Sequence, residues 1–274
     1  MKFKNMNELT RWALDSQNLW LFLDYDGTLV DFAPTPEVIE TNPKVITLLE
    51  KLVLIPSIRV TIISGRRLRD LRLLLPIKGI FLAGTYGVEL QEITGETIHR
   101  VEHDRIRPAL KEIKPQWQQM IAGRKGFFLE DKDWALALHA RFAEDSEAEQ
   151  VLKEAEAIAK VKSDGGYFRI LGGHKHLEIA PALASKTDTV AYLLTHYPLP
   201  DAHLLYIGDD DKDEEVFHML QVKHGVAAKV FQPSQALSPT VADFFFRSPL
   251  ETLQWLEKLI PASTPSLETR SQNG

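Results

Sequence analysis

Runs of consecutive apolar residues, each about the length of one strand, recur along this chain and alternate with helical patterns. Apolar residues at helical spacing follow the first and second runs, at 42–54 and 66–75. Strands that are apolar on both faces need cover on both sides, which a parallel sheet between helices provides. The sequence therefore predicts an α/β fold. The six runs are LWLFLD (19–24), IRVTIISG (58–65), GIFLAG (79–84), HLLYIGDD (203–210), GVAAKV (225–230) and ADFFF (242–246).

The middle of the chain follows a different pattern. Two long helical stretches are accompanied by half-alternating strands, GFFLED, WALALHARF, YFRILGG and HLEIAP. This order predicts a small α+β domain inserted into the α/β core. We expect the core at 1–103 and 182–260 and the inserted domain at 104–181. The polar segment 261–274 is predicted to be a disordered tail.

The composition excludes several classes of site and partner. There is no cysteine among the 274 residues, so disulfides, zinc–thiolate sites and thiol catalysis are excluded. A net charge of −6 without a basic run argues against nucleic acid and anionic membranes as partners. No segment has the ~18 apolar residues of a membrane span, and the amphipathic N-terminus lacks the apolar core of a signal peptide. We expect a cytoplasmic globular protein, and we expect it to be a monomer.

Carboxylates stand where a buried strand has no packing reason to hold them. They end or follow the first and fourth apolar runs. Near the end of the second run, Ser64 follows the last apolar residue and precedes Gly65. Ligands of open parallel sheets bind beyond the carboxyl ends of the strands. If these strands are neighbours, all of these side chains meet at one edge of the sheet. The carboxylates are Asp24, Asp26, Asp209, Asp210 and Asp213.

Carboxylates gathered in this way would repel one another. Two unit charges ~4 Å apart cost roughly 4 kcal/mol at an effective dielectric near 20. A hard divalent cation would offset the repulsion, and oxygen donors without cysteine or clustered histidine indicate Mg²⁺. Ser64 and Lys186, each at a predicted helix start, would add a hydroxyl and a positive charge, although a serine cap and a surface lysine are ordinary alone. Together these groups make a phosphate site.

The acidic stretches have other interpretations. Neither acidic stretch matches a calcium-binding loop of the EF-hand type, which requires glycine at its sixth position. Counted from Asp24 that position is Leu29, and counted from Asp209 it is Glu214. The run DDDKDEE also suits a solvated, acidic helix start that the helix dipole favours. Its pairing with DYDGT at another strand end favours the phosphate site.

Four stretches taken together resemble a known family. DYDGT, IISGR, a lysine at a helix start and YIGDDDKDEEVF have the order and spacing of the motifs of the haloacid-dehalogenase-like (HAD) phosphohydrolases. This resemblance extends to about residue 260 and implies a Rossmann-like parallel-sheet core with an inserted α+β cap that selects the substrate. More narrowly, LDYDGTL, ISGR, GTYGVE, LEDKDWALALHAR and YIGDDDKDEEVF resemble the trehalose-6-phosphate phosphatases. That implies a Mg²⁺-dependent hydrolase of trehalose 6-phosphate with an aspartyl-phosphate intermediate.

The resemblance implies roles for the core residues. Asp24 is expected to be the nucleophile. Asp26 is expected to protonate the leaving sugar oxygen and then to deprotonate the attacking water. Ser64 and Lys186 would hold the phosphoryl oxygens, and Thr28 would orient the Asp26 side chain or its loop.

The same resemblance implies the contacts of the cation and of the substrate. The expected Mg²⁺ ligands are Asp24, Asp26 through its carbonyl, Asp209 and Asp213, with Asp210 in support. The expected substrate contacts are Thr28, Gly65, Arg66, Glu130, His139, His174 and Glu178. Within that set, Glu130 and Glu178 match positions that the family uses on glucose hydroxyls.

This chain departs from the family pattern in three places. In GHKHLE, His174 stands where a lysine is usual and Lys175 comes one place later. Thr187 replaces a glycine, and Tyr86 stands where histidine is frequent. These departures leave the catalytic residues intact but open alternative substrates, namely glucosylglycerol phosphate or sucrose phosphate.

Two competing functions share these motifs. A hexose phosphomutase would rephosphorylate its product, and a non-catalytic sensor would bind a sugar phosphate without turnover, although every motif residue is present. His174 and His176 alternate along one strand and could face a metal, but no third neutral ligand is evident. In each case the expected partner is a small sugar phosphate.

Overall fold

Alternating strands and helices build one long sheet and a second, smaller one. The computed structural model describes residues 2–32, 40–163, 165–173, 175–231 and 239–261. In chain order the elements are α1 (Met6–Leu14), β1 (Asn18–Leu23), α2 (Pro43–Val53), β2 (Ile58–Ile63), α3 (Leu68–Leu74), β3 (Phe81–Gly84), a 3-10 turn (Thr85–Gly87), β4 (Glu89–Gln91), β5 (Thr97–His99), α4 (His103–Ile121), β6 (Phe128–Asp131), β7 (Leu136–His139), α5 (Asp145–Ser163), β8 (Phe168–Gly173), β9 (His176–Pro181), α6 (Lys186–His196), β10 (Ala202–Gly208), α7 (Asp211–Val222), β11 (Val226–Val230), β12 (Phe244–Phe246) and α8 (Pro249–Glu257).

Six strands of the main sheet run parallel, in the order β12-β11-β10-β1-β2-β3. The central strand, β1, is apolar on both faces because both faces are covered: Leu21 and Leu23 belong to one buried cluster, and Trp20 and Phe22 belong to the other. Burying each such side chain contributes ~1.5–3 kcal/mol. All six apolar runs contain a strand, so the predicted parallel α/β core is confirmed.

Two further strands, β4 and β5, extend the main sheet beyond β3 as an antiparallel hairpin. The chain reverses between them where the Glu92 N–H donates to the Glu96 carbonyl and Gly95 adopts a φ of +92°. The sequence does not predict this hairpin. Strands of three residues are too short to show an alternation that distinguishes them from a loop.

The segment between β5 and α6 forms an antiparallel sheet in the order β6-β7-β9-β8. Helices α4 and α5 cover one face of it, where Leu138, Leu177 and Ile179 pack with Trp117 and Val151. We call this sheet and its two helices the cap. All the helices and strands expected in this segment are present, and the division at 103/104 and 181/182 stays a prediction.

Two predictions fall partly or wholly outside the described residues. The predicted tail lies outside them from residue 262 onward, and so does His174. Within the described ranges, no helix combines the length and the apolar character that crossing a membrane requires.

Candidate active site

Three buried carboxylates meet at the carboxyl edge of the main sheet. Asp24 follows β1, Asp209 follows the neighbouring β10, and Asp213 lies in the first turn of α7. The pairing of β1 with β10 extends to Leu23 and Ile207, so the two strands end side by side. As a result, one carboxylate oxygen from each aspartate lies within 4.8 Å of the others.

Lys186 supplies a positive charge within this cluster. It is the first residue of α6, after the N-cap Ser185, and its side chain is buried. Its Nζ donates to Asp24 Oδ1 at 2.9 Å and to Asp213 Oδ1 at 2.6 Å. Burial lowers the pKa of Lys186, but the carboxylates of Asp210, Asp213 and Asp24 raise it by more than burial lowers it. As a result, the pKa lies well above its usual range. The lysine is therefore charged.

Asp213 is fully occupied by hydrogen bonds from the protein. Its Oδ1 accepts from Lys186 and, at 2.6 Å, from the Tyr206 hydroxyl, while its Oδ2 accepts from the backbone N–H groups of Asp209 and Asp210. A carboxylate offers about four acceptor positions. Asp213 therefore organises the loop after β10, and Asp210 assists as the N-cap of α7. The acidic run does begin a helix, but Asp209 and Asp213 are buried rather than solvated.

Asp209 has the opposite character, because its Oδ2 is buried and accepts no hydrogen bond from any described residue. Gly27 lies against this atom: a Cβ there would be 2.4 Å from it, and Gly27 has a φ of +82°. A buried carboxylate oxygen without a donor is costly unless a cation pairs with it. Oxygen donors in a set free of nitrogen and sulfur suit Mg²⁺. The residues present fit that ion.

Burial and mutual repulsion raise the pKa values of the clustered carboxylates. Burial is the largest cause, and neighbouring carboxylates add to it, so the pKa of Asp209 is raised to about 10 and that of Asp213 to about 8. The pKa of Asp24 is also raised, mainly by burial, although Lys186 opposes the shift. A divalent cation would reverse these shifts by favouring the ionised forms. The cluster could therefore hold a divalent cation.

Thr28 contacts the cluster rather than the Asp26 side chain. Its hydroxyl lies 3.3 Å from Asp24 Oδ2 and 3.4 Å from Asp209 Oδ1. The cause is a tight turn, in which the Thr28 N–H donates to the Tyr25 carbonyl and points the hydroxyl back toward β1. The Thr28 hydroxyl is thus placed to orient Asp24. That Thr28 orients the Asp26 side chain or its loop stays a prediction.

Asp26 is held by Arg66 in a bidentate ion pair. The Arg66 Nε donates to Asp26 Oδ2 and an Nη to Oδ1, both at 2.7 Å. The two side chains are only 10% and 22% exposed. Arg66, predicted as a substrate contact, therefore engages the predicted acid–base residue in this structure.

A strained turn brings Tyr86 to the edge of the site. Ser64, at the end of β2, accepts from the Arg66 N–H with its hydroxyl and from the Tyr86 N–H with its carbonyl. Thr85 and Tyr86 adopt φ values of +48° and +56°, which is costly for residues with a Cβ. The turn lays the Tyr86 ring against Gly65, where a Cβ would lie 2.6 Å from the tyrosine oxygen. Gly65 thus makes room for a tyrosine that reaches the cap.

The cap has a polar face opposite its helices. Ala137 of β7 pairs with Glu130 of β6 on one side and with Glu178 of β9 on the other. Two residues further along β7, His139 pairs with His176 of β9. Residues two apart on a strand share a face, so four longer side chains surround one small alanine. His139 Nε2 lies 3.1 Å from Glu130 Oε2. The structure thus brings together three of the predicted cap residues.

Lys132, which is not among the predicted site residues, adds a positive charge to this face of the cap. Its Nζ donates to Glu178 Oε2 at 3.0 Å, and the Tyr86 hydroxyl lies 3.3 Å from the same oxygen. Both Lys132 and Glu178 are buried. Glu178 Oε1 is buried too and accepts no hydrogen bond from the described residues. A lysine between carboxylates in LEDKDW, at the end of an apolar strand, is the signal that could have indicated Lys132, although not its partner.

His176 lies beside His139 on the polar face of the cap. His176 is largely buried, and burial together with neighbouring lysines lowers its pKa well below its usual range, so the imidazole is neutral. Its ring centre lies 5.0 Å from that of His139. Lys175 turns away, with its Nζ 2.6 Å from the Ala143 carbonyl and 2.6 Å from Asp145 Oδ1. The Lys175 ammonium is thus engaged by Ala143 and Asp145.

Sequence comparison places this set of residues in a family. A profile of the trehalose-phosphatase family matches residues 22–249. This chain belongs to the trehalose-phosphatase family. A probable trehalose-phosphate phosphatase of Sinorhizobium fredii is 29% identical over 232 residues, which cover 83% of this chain and 83% of that one. The trehalose-phosphate phosphatase of Mycobacterium tuberculosis is 27% identical over 243 residues, which are 87% of this chain but only 60% of the mycobacterial one.

Solved structures share the fold. The C-terminal domain of trehalose-6-phosphate phosphatase from C. albicans has a TM-score of 0.77 and 21% identity, covering 94% of this chain and 97% of that one. A haloacid dehalogenase-like hydrolase from Bacteroides thetaiotaomicron has a TM-score of 0.59 and 15% identity, covering 88% and 99%. The HAD-like fold and the family resemblance are confirmed. As a member of this phosphatase family, the chain is a phosphoric monoester hydrolase.

Proposed function

We propose that this enzyme hydrolyses trehalose 6-phosphate to trehalose and inorganic phosphate with the aid of Mg²⁺. The proposal depends on one juxtaposition: the acidic core cluster with its buried Lys186 lies beside a cap face of carboxylates and imidazoles, joined through Tyr86 and Glu178. The first group suits a phosphoryl group, and the second suits a hydroxyl-rich sugar. Membership of the trehalose-phosphatase family supports this substrate.

In the proposed reaction, a carboxylate oxygen of Asp24 attacks phosphorus. The bond from phosphorus to the sugar oxygen breaks, and Asp26 gives that oxygen its proton. Water then attacks the phosphorus, Asp26 takes a proton from it, and the bond to Asp24 breaks to release phosphate. Lys186, 2.9 Å from Asp24 Oδ1, and the Ser64 hydroxyl stabilise charge on the phosphoryl oxygens.

Mg²⁺ would be held by Asp24, Asp209 and the Asp26 carbonyl. Asp209 Oδ2 supports this assignment, since this buried carboxylate oxygen accepts no hydrogen bond from the described residues. Asp213, with Asp210, would fix the loop that carries Asp209. When bound, the ion would neutralise charge on the phosphoryl oxygens.

We assign sugar recognition to the polar face of the cap. Glu178 Oε1 can accept a sugar hydroxyl without giving up a protein hydrogen bond. Glu130, paired with His139, is an ionised acceptor, because the histidine and nearby cations lower its pKa more than burial raises it. The orientation of Lys175 favours testing glucosylglycerol phosphate and sucrose phosphate as alternative substrates.

The test is phosphate release from a panel of sugar phosphates, with Mg²⁺ and with a chelator. The panel contains trehalose 6-phosphate, sucrose 6-phosphate, glucosylglycerol phosphate, glucose 6-phosphate and mannose 6-phosphate, and an Asp24→Asn variant serves as the blank. We expect a metal-dependent kcat/KM for trehalose 6-phosphate at least roughly tenfold above the others. A preference for another member would move the substrate assignment.

Two further outcomes would overturn the proposed hydrolysis. Binding of a panel member without turnover would favour the sensor. Transfer of phosphate back to the product, dependent on a bisphosphorylated activator, would favour the phosphomutase.

A further inference from the structure

The bidentate ion pair between Arg66 and Asp26 uses both oxygens of the carboxylate that the proposed reaction needs for two proton transfers. Each of its two contacts is 2.7 Å long. Two parallel donors fix the plane of a carboxylate as well as its position, whereas a single donor leaves the plane free to turn. The orientation of the Asp26 side chain is therefore set by Arg66.

The structure also holds Arg66 itself in place. Its carbonyl accepts from the Thr85 N–H at 2.7 Å, and its N–H donates to the Ser64 hydroxyl at 3.1 Å. Its side chain is only 10% exposed. Its guanidinium lies 6.0 Å from the ring centre of Tyr25. An arginine anchored at its backbone and enclosed at its side chain is a rigid support.

A carboxylate of the cap also affects the pKa of Arg66. Burial lowers the pKa of its guanidinium, but Asp26 and, more weakly, Tyr25 and Glu130 of β6 raise it, with a net increase. The guanidinium is thus influenced both by the acid–base carboxylate of the core and by a carboxylate of the sugar-facing cap.

We propose that Arg66 is a positioning residue for Asp26, which it aims at the leaving oxygen and then at the attacking water. The proposal rests on the proposed function, because that function gives Asp26 its two proton transfers. In the first step the proton passes from Asp26 to the sugar oxygen as the phosphorus–oxygen bond breaks. In the second it passes from water to Asp26 as the bond from water to phosphorus forms. Arg66 exchanges no proton in either step.

This role predicts a dependence on the leaving group. A sugar alkoxide is a poor leaving group and needs a well-aimed acid, whereas p-nitrophenolate leaves without one. General acid catalysis contributes roughly 10²–10⁴-fold. If the Asp26 carboxyl group is no longer oriented by Arg66, the first step should therefore be slower for a sugar phosphate and unchanged for p-nitrophenyl phosphate. The second step, which needs Asp26 as a base, should slow for both substrates.

The experiment compares the wild type with Arg66→Gln and Arg66→Lys by rapid-mixing and steady-state kinetics. For trehalose 6-phosphate we expect kcat to fall at least roughly 30-fold in both variants with KM changed less than threefold. For p-nitrophenyl phosphate we expect an unchanged first-turnover rate and a slower steady state, so that a burst of nitrophenol appears or grows. Arg69→Gln removes a neighbouring arginine whose side chain is 71% exposed, and it should show neither effect.

Other results would overturn the proposal. A rise in KM with kcat unchanged would make Arg66 a sugar-binding residue. Full activity in Arg66→Lys would show that charge suffices and that the bidentate geometry is irrelevant. Equal losses in the first turnover of both substrates would indicate general damage to the site. If trehalose 6-phosphate proves not to be the substrate, the burst with p-nitrophenyl phosphate still tests Arg66, so the two failures can be told apart.

Discussion

Replacing Lys132 by methionine should destabilise the cap strongly, because it leaves Glu178 buried without its cation. The Lys132 Nζ lies 3.0 Å from Glu178 Oε2, and both side chains are buried. At that distance the Coulomb attraction is about 5.5 kcal/mol at an effective dielectric of 20. Methionine fills most of the same space, so the packing loss is small. Removing one partner of a buried pair costs about 3–5 kcal/mol, and we expect a loss in that range.

The assay is urea unfolding followed by tryptophan fluorescence and by circular dichroism, with the free energy of unfolding taken from the linear extrapolation. The double variant Lys132→Met/Glu178→Gln should recover most of the loss, because it removes both charges and leaves a neutral amide near Tyr86. Lys153→Met, at an exposed position of α5 in the same cap, is the control and should change stability by less than about 0.5 kcal/mol.

Two results would refute this reasoning. A loss below about 1 kcal/mol for Lys132→Met would mean that Glu178 finds another partner or water, so that the pair is not effectively buried. A double variant as unstable as the single one would mean that packing, not charge, accounts for the loss.

Three further predictions concern Asp24 as the proposed nucleophile, the His176 imidazole and the crowded Gly87. Asp24→Asn should lower kcat by at least roughly 10³-fold while the fold is kept, since one charge of a repelling cluster is removed. Burial and Lys132 depress the pKa of His176 in the folded state, so its protonation opposes folding. The free energy of unfolding should therefore fall as the pH drops below about 6.5, by at most about 1.4 kcal/mol per pH unit. His176→Asn should remove this contribution to the pH dependence. Gly87→Ala should destabilise by about 3 kcal/mol or more, because the φ is +91° and the added Cβ would lie 1.9 Å from Thr189 Oγ1.

Each of these predictions has a matched control. Asp211→Asn, at an exposed aspartate of α7, should keep its activity, and a similar loss there would contradict the role of Asp24. His218→Asn, at an exposed histidine, is the control for the loss of one imidazole, and a loss of pH dependence equal to that of His176→Asn would contradict the role of His176. Gly95→Ala carries the same backbone strain at a φ of +92° with no atom within 4 Å of the new Cβ. Equal losses at the two glycines would exclude the contact with Thr189 as a cause.

The parts of the fold that the sequence predicts are those with a local signal. β1 and β10 are apolar throughout and end in aspartates, so both the strands and the polar edge can be predicted from periodicity. Lys186 could be placed because it follows an N-cap serine at a helix start. The family motifs added the identity of the fold and its cap.

The contacts that the sequence does not predict depend on how separate elements meet. Nothing near Lys132 in sequence indicates that its partner is Glu178, because the pair is made by the register across β7. The engagement of Arg66 with Asp26 joins the loops after two different strands. The hydroxyl of Thr28 turns toward Asp24 only because of a turn too short to show a periodic pattern.

The central place of β1 has a consequence for how the protein is made. One neighbour of β1, the strand Ile58–Ile63, follows soon after it, but the other, Ala202–Gly208, is synthesised only after the whole cap. At ~5–20 residues per second, one edge of β1, with its unpaired backbone N–H and C=O groups, stays open on the ribosome for roughly 10–35 s. The cap, whose sheet pairs only strands within one short stretch of chain, can fold during that interval. The nascent chain should therefore complete the sheet of the cap first and the acidic cluster of Asp24, Asp209 and Asp213 last.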